Sequence, residues 1–298
     1  VKELYLMDST INNYRDLVNN QLEICLPVAN GPADNLFEAM RYSIFNGGKR
    51  VRPLLCFAAA DAVAEANEGT AIVAASIEMI HAYSLIHDDL PTMDNDNLRR
   101  GKATCHIQFG EAAAILAGDA LQSLAFETLC KLDDVSPEVV IELVRLLSAN
   151  SGCSGMAKGQ AIDLAATGQS LSIEQLKFMH GQKTGALIEA SVLMGSLATG
   201  RATPDQLLLL SEFSKAIGLA FQIQDDILDV ESSTDQLGKQ QGSDFNNQKA
   251  TYTSLLGLDE ARKQTAELYA KIINCLDTFG VRAEPLRYIA SFIINRAY

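Results

Sequence analysis

Apolar residues recur at helical spacing along almost the whole chain, and this pattern most constrains the fold. Leu36, Met40 and Ile44 recur every fourth residue until Gly47 and Gly48 end the pattern. Alternating runs of β-branched residues, which indicate strands, are few. The sequence therefore predicts an all-α protein. The predicted helices cover residues 32–46, 53–66, 69–89, 111–131, 186–199, 204–230, 258–279 and 283–297.

Many of these segments are apolar on more than one face, as helices inside a large bundle are. Hydrophobic residues make up 48% of the 298 residues, which is enough for one large core. No change in composition divides the chain. We therefore expect one domain over residues 1–298, built as a single large helical bundle.

The charge and the termini bear on partners and location. A formal net charge of −13 argues against non-specific binding of nucleic acid, which needs a basic surface. It still permits a small anionic substrate at a local cluster of cations or metal ions. No apolar leader or uncharged apolar stretch of about 18 residues occurs. We expect a cytoplasmic protein without stable membrane insertion.

An acidic segment at 85–101, LIHDDLPTMDNDNLRRG, follows an apolar run. Asp88 and Asp94 are six residues apart, so on an unbroken helix their side chains would diverge. Pro91 lies between them, and proline bends or ends a helix. A bend there would bring Asp94 back toward Asp88, as two ligands of one ion require.

A second acidic cluster, FQIQDDILDV at 221–230, ends the helix that Pro204 starts. Asp225 and Asp229 share a helix face, and like charges at this spacing repel unless a cation lies between them. Either cluster alone could be a solvated acidic patch. Two clusters that each end a long apolar helix favour a site for a hard cation such as Mg²⁺.

Cationic side chains form further candidate sites, each of which also has an ordinary structural explanation. Lys49 and Arg52 follow a glycine pair near a helix start, where anions bind, although a basic turn would look the same. Arg99 and Arg100 could grip phosphate or simply pair with nearby aspartates. The other candidate phosphate contacts are His81, Lys183, Thr184, Lys239 and Lys249. The sequence offers no persuasive pair of nucleophile and base. Its two acidic clusters and its cationic clusters together suggest two polyphosphate ligands, one held by metal ions and one by cationic side chains.

These motifs together resemble those of the trans-isoprenyl diphosphate synthases, over nearly the whole chain. Within that family the sequence is most similar to the bacterial members that make farnesyl diphosphate. The motifs that carry the resemblance are Gly47-Gly48-Lys49-Arg50-x-Arg52-Pro53, Glu78-x-x-His81, Asp88-Asp89-x4-Asp94, Arg99-Arg100-Gly101, Gly159-Gln160-x-x-Asp163, Lys183-Thr184, Phe221-Gln222-x-x-Asp225-Asp226-x-x-Asp229, Gly238-Lys239 and Lys249-x-Thr251.

The resemblance implies helices around a deep central cavity, a homodimer, and three magnesium ions that manganese can replace. It implies a prenyltransferase that joins isopentenyl diphosphate to dimethylallyl and geranyl diphosphate. The implied metal-binding residues are Asp88, Asp89, Asp94, Asp225, Asp226 and Asp229. The implied contacts of the allylic diphosphate are Arg99, Lys183, Thr184, Gln222, Lys239 and Lys249. The implied contacts of isopentenyl diphosphate are Lys49, Arg52, His81 and Arg100. Among all of these, Asp88, Asp94, Asp225 and Lys183 are the expected catalytic residues.

Two further expectations come from the resemblance. Tyr83, with its neighbour Ser84, would form the floor of the pocket and limit the product to farnesyl diphosphate. The polar segment 232–248 would close over the reaction as a lid. Ala103 and Thr253 stand where relatives often have proline, which concerns local loop geometry and not the reaction.

Four alternatives remain at this point. A geranylgeranyl or other chain-length synthase differs only in product. A terpene cyclase would need a different second acidic motif, with Glu at 233, where this chain has Ser. A metal-dependent phosphohydrolase, suggested by His87-Asp88, would need further metal-binding histidines. A non-catalytic subunit of a heteromeric synthase should lack aspartates in one cluster, and both clusters are complete here.

Overall fold

The computed structural model describes residues 2–231 and 250–295, with side chains from residue 7 onward. Its helices are α1 (Lys2–Cys25), α2 (Asp34–Phe45), α3 (Val51–Val63), α4 (Glu68–Asp88), α5 (Cys105–Phe109), α6 (Glu111–Leu129), α7 (Pro137–Ser151), α8 (Met156–Ala166), α9 (Ile173–His180), α10 (Ala186–Ala198), α11 (Pro204–Glu231), α12 (Tyr252–Leu256), α13 (Leu258–Leu276) and α14 (Glu284–Asn295). A π-helical turn, Gly181–Gly185, joins α9 to α10, and a 3₁₀ segment, Asp277–Ala283, joins α13 to α14. The all-α prediction is confirmed.

The sequence pattern did not reveal every helix. Six helices in the described ranges, α1, α5, α7, α8, α9 and α12, lie outside the predicted segments. The first of these is largely polar, and from residue 7 onward it buries a narrow stripe, Ile11, Tyr14, Val18 and Leu22. Such a stripe has the correct spacing but little total hydrophobicity, so it is easily taken for loop.

The start of α3 also differs from the prediction. The helix begins at Val51, two residues before Pro53, and Arg50 precedes it in the left-handed region with φ of 54°. Proline is tolerated there because the first-turn N–H groups have no partner within the helix. Arg52 therefore lies in the first turn of α3 and not before it.

The sheet in the described part of the chain is a single hairpin with two residues in each strand. Leu98 pairs with Ala103 and Arg99 with Lys102, in antiparallel register. The turn residues Arg100 and Gly101 both have positive φ, 54° and 76°, as tight hairpin turns require. Strands this short show no periodicity, so they could not be predicted. The hairpin fixes the two adjacent arginines relative to the end of α4.

Helix α4 is the central element of the bundle. It packs against α1, α2, α3, α6 and α10. Its length and hydropathy alone would suffice to cross a membrane, but 78% of that apolar window is buried inside the protein. Burial on all sides explains why the helix is apolar around its circumference and why its C-terminal end lies deep in the molecule.

Helices α3 and α10 approach each other closely at Gly195. A Cβ atom added there would lie 2.7 Å from the carbonyl carbon of Cys56 and would overlap its oxygen. Because both partners are backbone in buried helices, neither can move aside without repacking the core.

We therefore expect Gly195→Ala to lower the free energy of unfolding by about 1–3 kcal/mol, as overpacked cores do. Urea titration followed by circular dichroism measures this. Gly31→Ala is the matched control, because a Cβ there has no heavy atom within 4 Å. Equal stability of the two variants would contradict the close approach.

Candidate active site

The chain turns back at the end of α4. The backbone N–H of Asp94 donates to the carbonyl of Asp88 at 2.9 Å, and Met93 and Asn95 both donate to the carbonyl of Leu90. Asn95 has φ of 54°, which tightens the turn further. The predicted bend around Pro91, which returns Asp94 to Asp88, is confirmed by this hydrogen bond.

The C-terminal end of α4 and residues 222–226 of α11 line a cavity of about 270 Å³, the aspartate cavity. Carboxylates from both predicted clusters line it: Asp88, Asp94, Asp225 and Asp226. The C-terminal end of a helix carries a partial negative charge, so carboxylates there repel both each other and the helix ends. The cavity thus concentrates negative charge from two directions.

Asp88 shows the consequence most clearly. Burial raises the pKa of its carboxyl from 3.8 to about 6, with Lys183 opposing the rise and Asp94 adding to it. A cation that binds next to this carboxyl group stabilises its ionised form. The site therefore favours proton uptake or cation binding.

Not all six predicted metal-binding residues line the aspartate cavity. Asp89 is 3% exposed and accepts two hydrogen bonds from Nε of Arg99, at 2.8 and 2.9 Å. Asp226 does line the cavity, but it is only 5% exposed and accepts a hydrogen bond from the backbone N–H of Tyr252 at 2.6 Å. Asp229, one turn beyond Asp225, does not line this cavity. Asp89 holds Arg99 in this structure, and its role as a metal ligand stays a prediction.

The donor chemistry of the aspartate cavity fits magnesium. Among the described residues, no three Asp, Glu, His or Cys side chains lie close enough together to enclose one ion. Mg²⁺ does not need such a cage, because it binds through one or two carboxylates, several waters and substrate phosphate oxygens. Asp88, Asp94 and Asp225 offer oxygen ligands of this kind around a space open to a substrate.

A second cavity of about 620 Å³, the cationic cavity, adjoins the first. Lys49, Arg52, His81 and Arg100 line it, as the sequence predicts for one diphosphate site. Nη1 of Arg52 lies 3.3 Å from Nε2 of His81. The Nε atom of Arg52 is buried and has no hydrogen-bond partner in the described protein, so it can still donate to an anion.

The charge state of His81 follows from its surroundings. Burial lowers its pKa well below the ordinary value, and the positive charges of Arg52, Arg100, Arg99 and Arg50 lower it further. The neutral imidazole therefore faces several guanidinium groups. A neutral side chain here adds a hydrogen bond without adding like charge, while the arginines supply the charge that an anion needs.

A buried ion pair that the sequence did not reveal supports the cationic cavity. Nη1 of Arg50 lies 2.6 Å from Glu78, and Nη2 donates to the carbonyl of Ile44 at 2.7 Å. Both side chains are almost fully buried. The pair ties the segment between α2 and α3 to α4, so Arg52 lies beside His81, whereas Nζ of Lys49 lies over the Phe292 ring, 5.6 Å from its centroid.

The π-helical turn presents the next two predicted residues. Nζ of Lys183 lies 2.6 Å from Asp163 of α8, and Oγ1 of Thr184 donates to Oε1 of Gln222 at 2.5 Å. Single π turns often occur at functional sites because they rotate side chains out of the regular helical register. Gln222, Asp225 and Arg99 line both the aspartate and the cationic cavities, so the two form one continuous site.

A third cavity of about 340 Å³, the tail cavity, extends from this site between α4 and α8. Tyr83, Ser84, Met93, Met156 and Leu164 are among its lining residues, and Lys183 and Asp88 line its inner end. The Tyr83 ring is 9% exposed, as expected for a wall that meets only the cavity. A mostly apolar space next to charged groups suits a hydrocarbon chain attached to a diphosphate.

Most of the described candidate residues line these three cavities, whereas Asp89 and Asp229 do not. Lys239, Lys249 and the segment 232–248 fall outside the described residues. Asp163, Arg50 and Glu78 support the site although the sequence gave them no role. Their partners are distant in the chain, so only the quoted motifs could have drawn attention to them.

Comparison with known proteins gives concordant results. The profile of the polyprenyl synthetase family matches residues 33–279. The chain is 46% identical over 262 residues to the farnesyl diphosphate synthase of Haemophilus influenzae, with 88% of each protein covered. It is 42% identical over 284 residues to the geranylgeranyl diphosphate synthase of Cyanophora paradoxa, covering 95% of this chain and 94% of that protein. The crystal structure of geranyltransferase from Helicobacter pylori, complexed with magnesium and isoprenyl diphosphate, superposes with a TM-score of 0.84 at 35% identity over 96% of each chain.

The raised pKa of Asp88 predicts a specific dependence of stability on pH. A carboxyl whose pKa is higher when folded contributes stability below its unfolded pKa, 3.8, and loses it as pH rises through about 6. We expect Asp88→Asn to be more stable than the metal-free wild type at pH 7.5, by about 1–3 kcal/mol. The difference should disappear near pH 4.

Urea unfolding at a series of pH values in the presence of a chelator tests this prediction. Asp205→Asn, at the exposed start of α11, is the control and should follow the wild type. A difference between Asp88→Asn and wild type that stays constant from pH 4 to 7.5 would show that the carboxyl is not destabilised by burial.

Proposed function

The chain belongs to the polyprenyl synthetase family, and from that premise we propose that it is a magnesium-dependent prenyltransferase. The reaction joins isopentenyl diphosphate head to tail with dimethylallyl diphosphate and then with geranyl diphosphate. It yields farnesyl diphosphate and releases diphosphate at each step. The observation that carries this proposal is the continuity of the aspartate, cationic and tail cavities, which offers two polyphosphate sites beside one apolar chamber.

Asp88, Asp94 and Asp225 are the proposed principal metal ligands, with Asp89, Asp226 and Asp229 in support. When bound, magnesium supplies electrophilic stabilisation of the negative charge that develops on the leaving diphosphate. We expect three ions, with manganese as a substitute. Magnesium in the related Helicobacter pylori structure supports the choice of metal.

Side chains of the protein hold the two substrates. Arg99 and Lys183, with Thr184 and Gln222, bind the allylic diphosphate where the aspartate and cationic cavities meet. Lys239 and Lys249 are proposed for the same diphosphate from outside the described residues. The isopentenyl diphosphate occupies the four side chains of the cationic cavity: Lys49, Arg52, His81 and Arg100.

The chemistry follows from this placement of charge. The bond between C1 of the allylic substrate and its diphosphate oxygen breaks, and the electron pair leaves with the diphosphate. Fixed positive groups such as Lys183 and Arg99 stabilise that charge without having to reorganise. The alkene of isopentenyl diphosphate then attacks C1, and a proton from its C2 passes to the departed diphosphate.

No protein base is required by this scheme, which agrees with the absence of a persuasive one in the sequence. Water must be excluded while the allylic cation exists. Segment 232–248 remains the proposed lid, although it lies outside the described residues. The relatives named farnesyl diphosphate synthase support the product, while the geranylgeranyl relative keeps a longer product as the second candidate.

Assembly and location complete the proposal. Ile115 and Leu116 of α6 are 44% and 56% exposed, and exposed apolar side chains on this helix support a homodimer. We propose a cytoplasmic enzyme with no nucleic-acid partner. A non-catalytic subunit is disfavoured because both acidic clusters are complete.

One assay tests the proposed function directly. Purified protein is incubated with isopentenyl diphosphate, dimethylallyl diphosphate and Mg²⁺, and the dephosphorylated products are separated by chromatography. Farnesol should dominate, and a chelator should abolish its formation. Absence of any condensation product under these conditions would refute the proposal.

Asp225→Ala should lower kcat by roughly 10²–10³-fold, the usual loss when one preorganised charge-stabilising group is removed. The fold should persist, because the substitution removes a charge from a crowded acidic cavity. Asp205→Ala, at the exposed start of the same helix, serves as the matched control. Turnover of Asp225→Ala within about twofold of the control would rule out a role in metal binding.

Tyr83→Ala should lengthen the product. The ring forms part of the wall of the tail cavity, and its loss gives room for further five-carbon units. Product chromatography should show geranylgeranyl diphosphate or longer chains in place of farnesyl diphosphate. An unchanged product would refute the assignment of Tyr83 as the residue that limits chain length.

A further inference from the structure

His87 is the sequence feature that the proposed function leaves without a role. It suggested a metal-dependent phosphohydrolase because it precedes Asp88, yet the imidazole does not line the aspartate cavity. It lines the tail cavity, together with Tyr83. The two rings meet edge to face, with centroids 5.8 Å apart and planes at 77°. This is a favourable geometry for an aromatic pair.

The opposite side of the imidazole is fastened to α6. Nε2 of His87 lies 3.1 Å from the backbone carbonyl of Ile115. A carbonyl oxygen can only accept, so Nε2 carries the proton and donates. The partner is main chain of a helix that packs extensively on α4, so it forms a rigid anchor.

Gly118 provides the space that the imidazole occupies. A Cβ atom added to Gly118 would lie 2.6 Å from Cδ2 of His87 and would overlap Nε2. Any other residue at this position would therefore displace the ring. The side chain of His87 is 26% exposed, and the ring is fixed between the backbone of α6 and Tyr83.

We propose that His87 is a positioning residue that determines product length, by holding the Tyr83 ring as the end wall of the tail cavity. The inference rests on the proposed function, because it concerns the length of the prenyl chain. Without the imidazole, the Tyr83 ring loses its edge contact and keeps the hydrogen bond of its hydroxyl with the Gln122 side chain, about which the ring can tilt away from the cavity. A longer chain then fits before the wall is reached.

Four variants test this inference by product distribution, which a purely structural role would not change. His87→Ala should raise the ratio of twenty-carbon to fifteen-carbon product about two- to tenfold, the range expected for loss of one aromatic pair. Adding His87→Ala to Tyr83→Ala should change nothing further, because the end wall is already gone.

Gly118→Ala should push the imidazole toward the cavity and raise the share of released ten-carbon product by a similar factor of about two to ten. The effect should vanish in the Gly118→Ala/His87→Ala double variant, because the added methyl group then has no ring to displace. Gly31→Ala is the matched glycine control and should leave the distribution unchanged.

The outcomes separate this inference from the proposed function. If the wild type forms no condensation product, the proposed function fails. If the wild type makes farnesyl diphosphate and Tyr83→Ala lengthens it, an unaltered distribution in His87→Ala overturns the role of His87 alone. Equal effects of Gly118→Ala with and without the imidazole would also overturn it.

Discussion

The proposed site depends on the repulsion among carboxylates that α4 and α11 bring together at the aspartate cavity. Helix α4 ends at this cavity, so its partial negative charge adds to the charges of Asp88, Asp94 and Asp225. Burial raises the pKa of Asp88 to about 6, and the nearby carboxylate of Asp94 adds to the rise. In the proposed function, a divalent cation held by these carboxylates would offset the repulsion and allow a diphosphate to bind in the cavity.

In the proposed function, the cationic cavity must bind an anion without a metal ion. Burial lowers the pKa of Arg52 to about 10, which still leaves it charged at neutral pH, while His81 remains neutral. The buried pair of Arg50 and Glu78 holds this group of cations in place without neutralising it. Because Asp225 lines both cavities, the proposed function places metal-dependent and metal-independent binding side by side.

The sequence predicted the parts of this arrangement that local patterns encode. Long apolar periodicity identified α4 and α11, and the placement of Pro91 predicted the turn that the Asp94 backbone closes. It did not predict that Asp89 holds Arg99, or that Asp163 pairs with Lys183, because these contacts form only after distant helices pack. The hairpin that orients the two arginines was also missed, since two-residue strands leave no periodic signal.

We expect the aspartate cavity to bind a diphosphate only together with a divalent cation. Isothermal titration of the wild-type protein with inorganic pyrophosphate, with and without Mg²⁺, measures this dependence. Pyrophosphate should bind at least about 100-fold more tightly with Mg²⁺ than in a chelator, a coupling free energy of about 2.7 kcal/mol. Equal affinity in both conditions would contradict it, because the anion would then bind without relief of the buried negative charge.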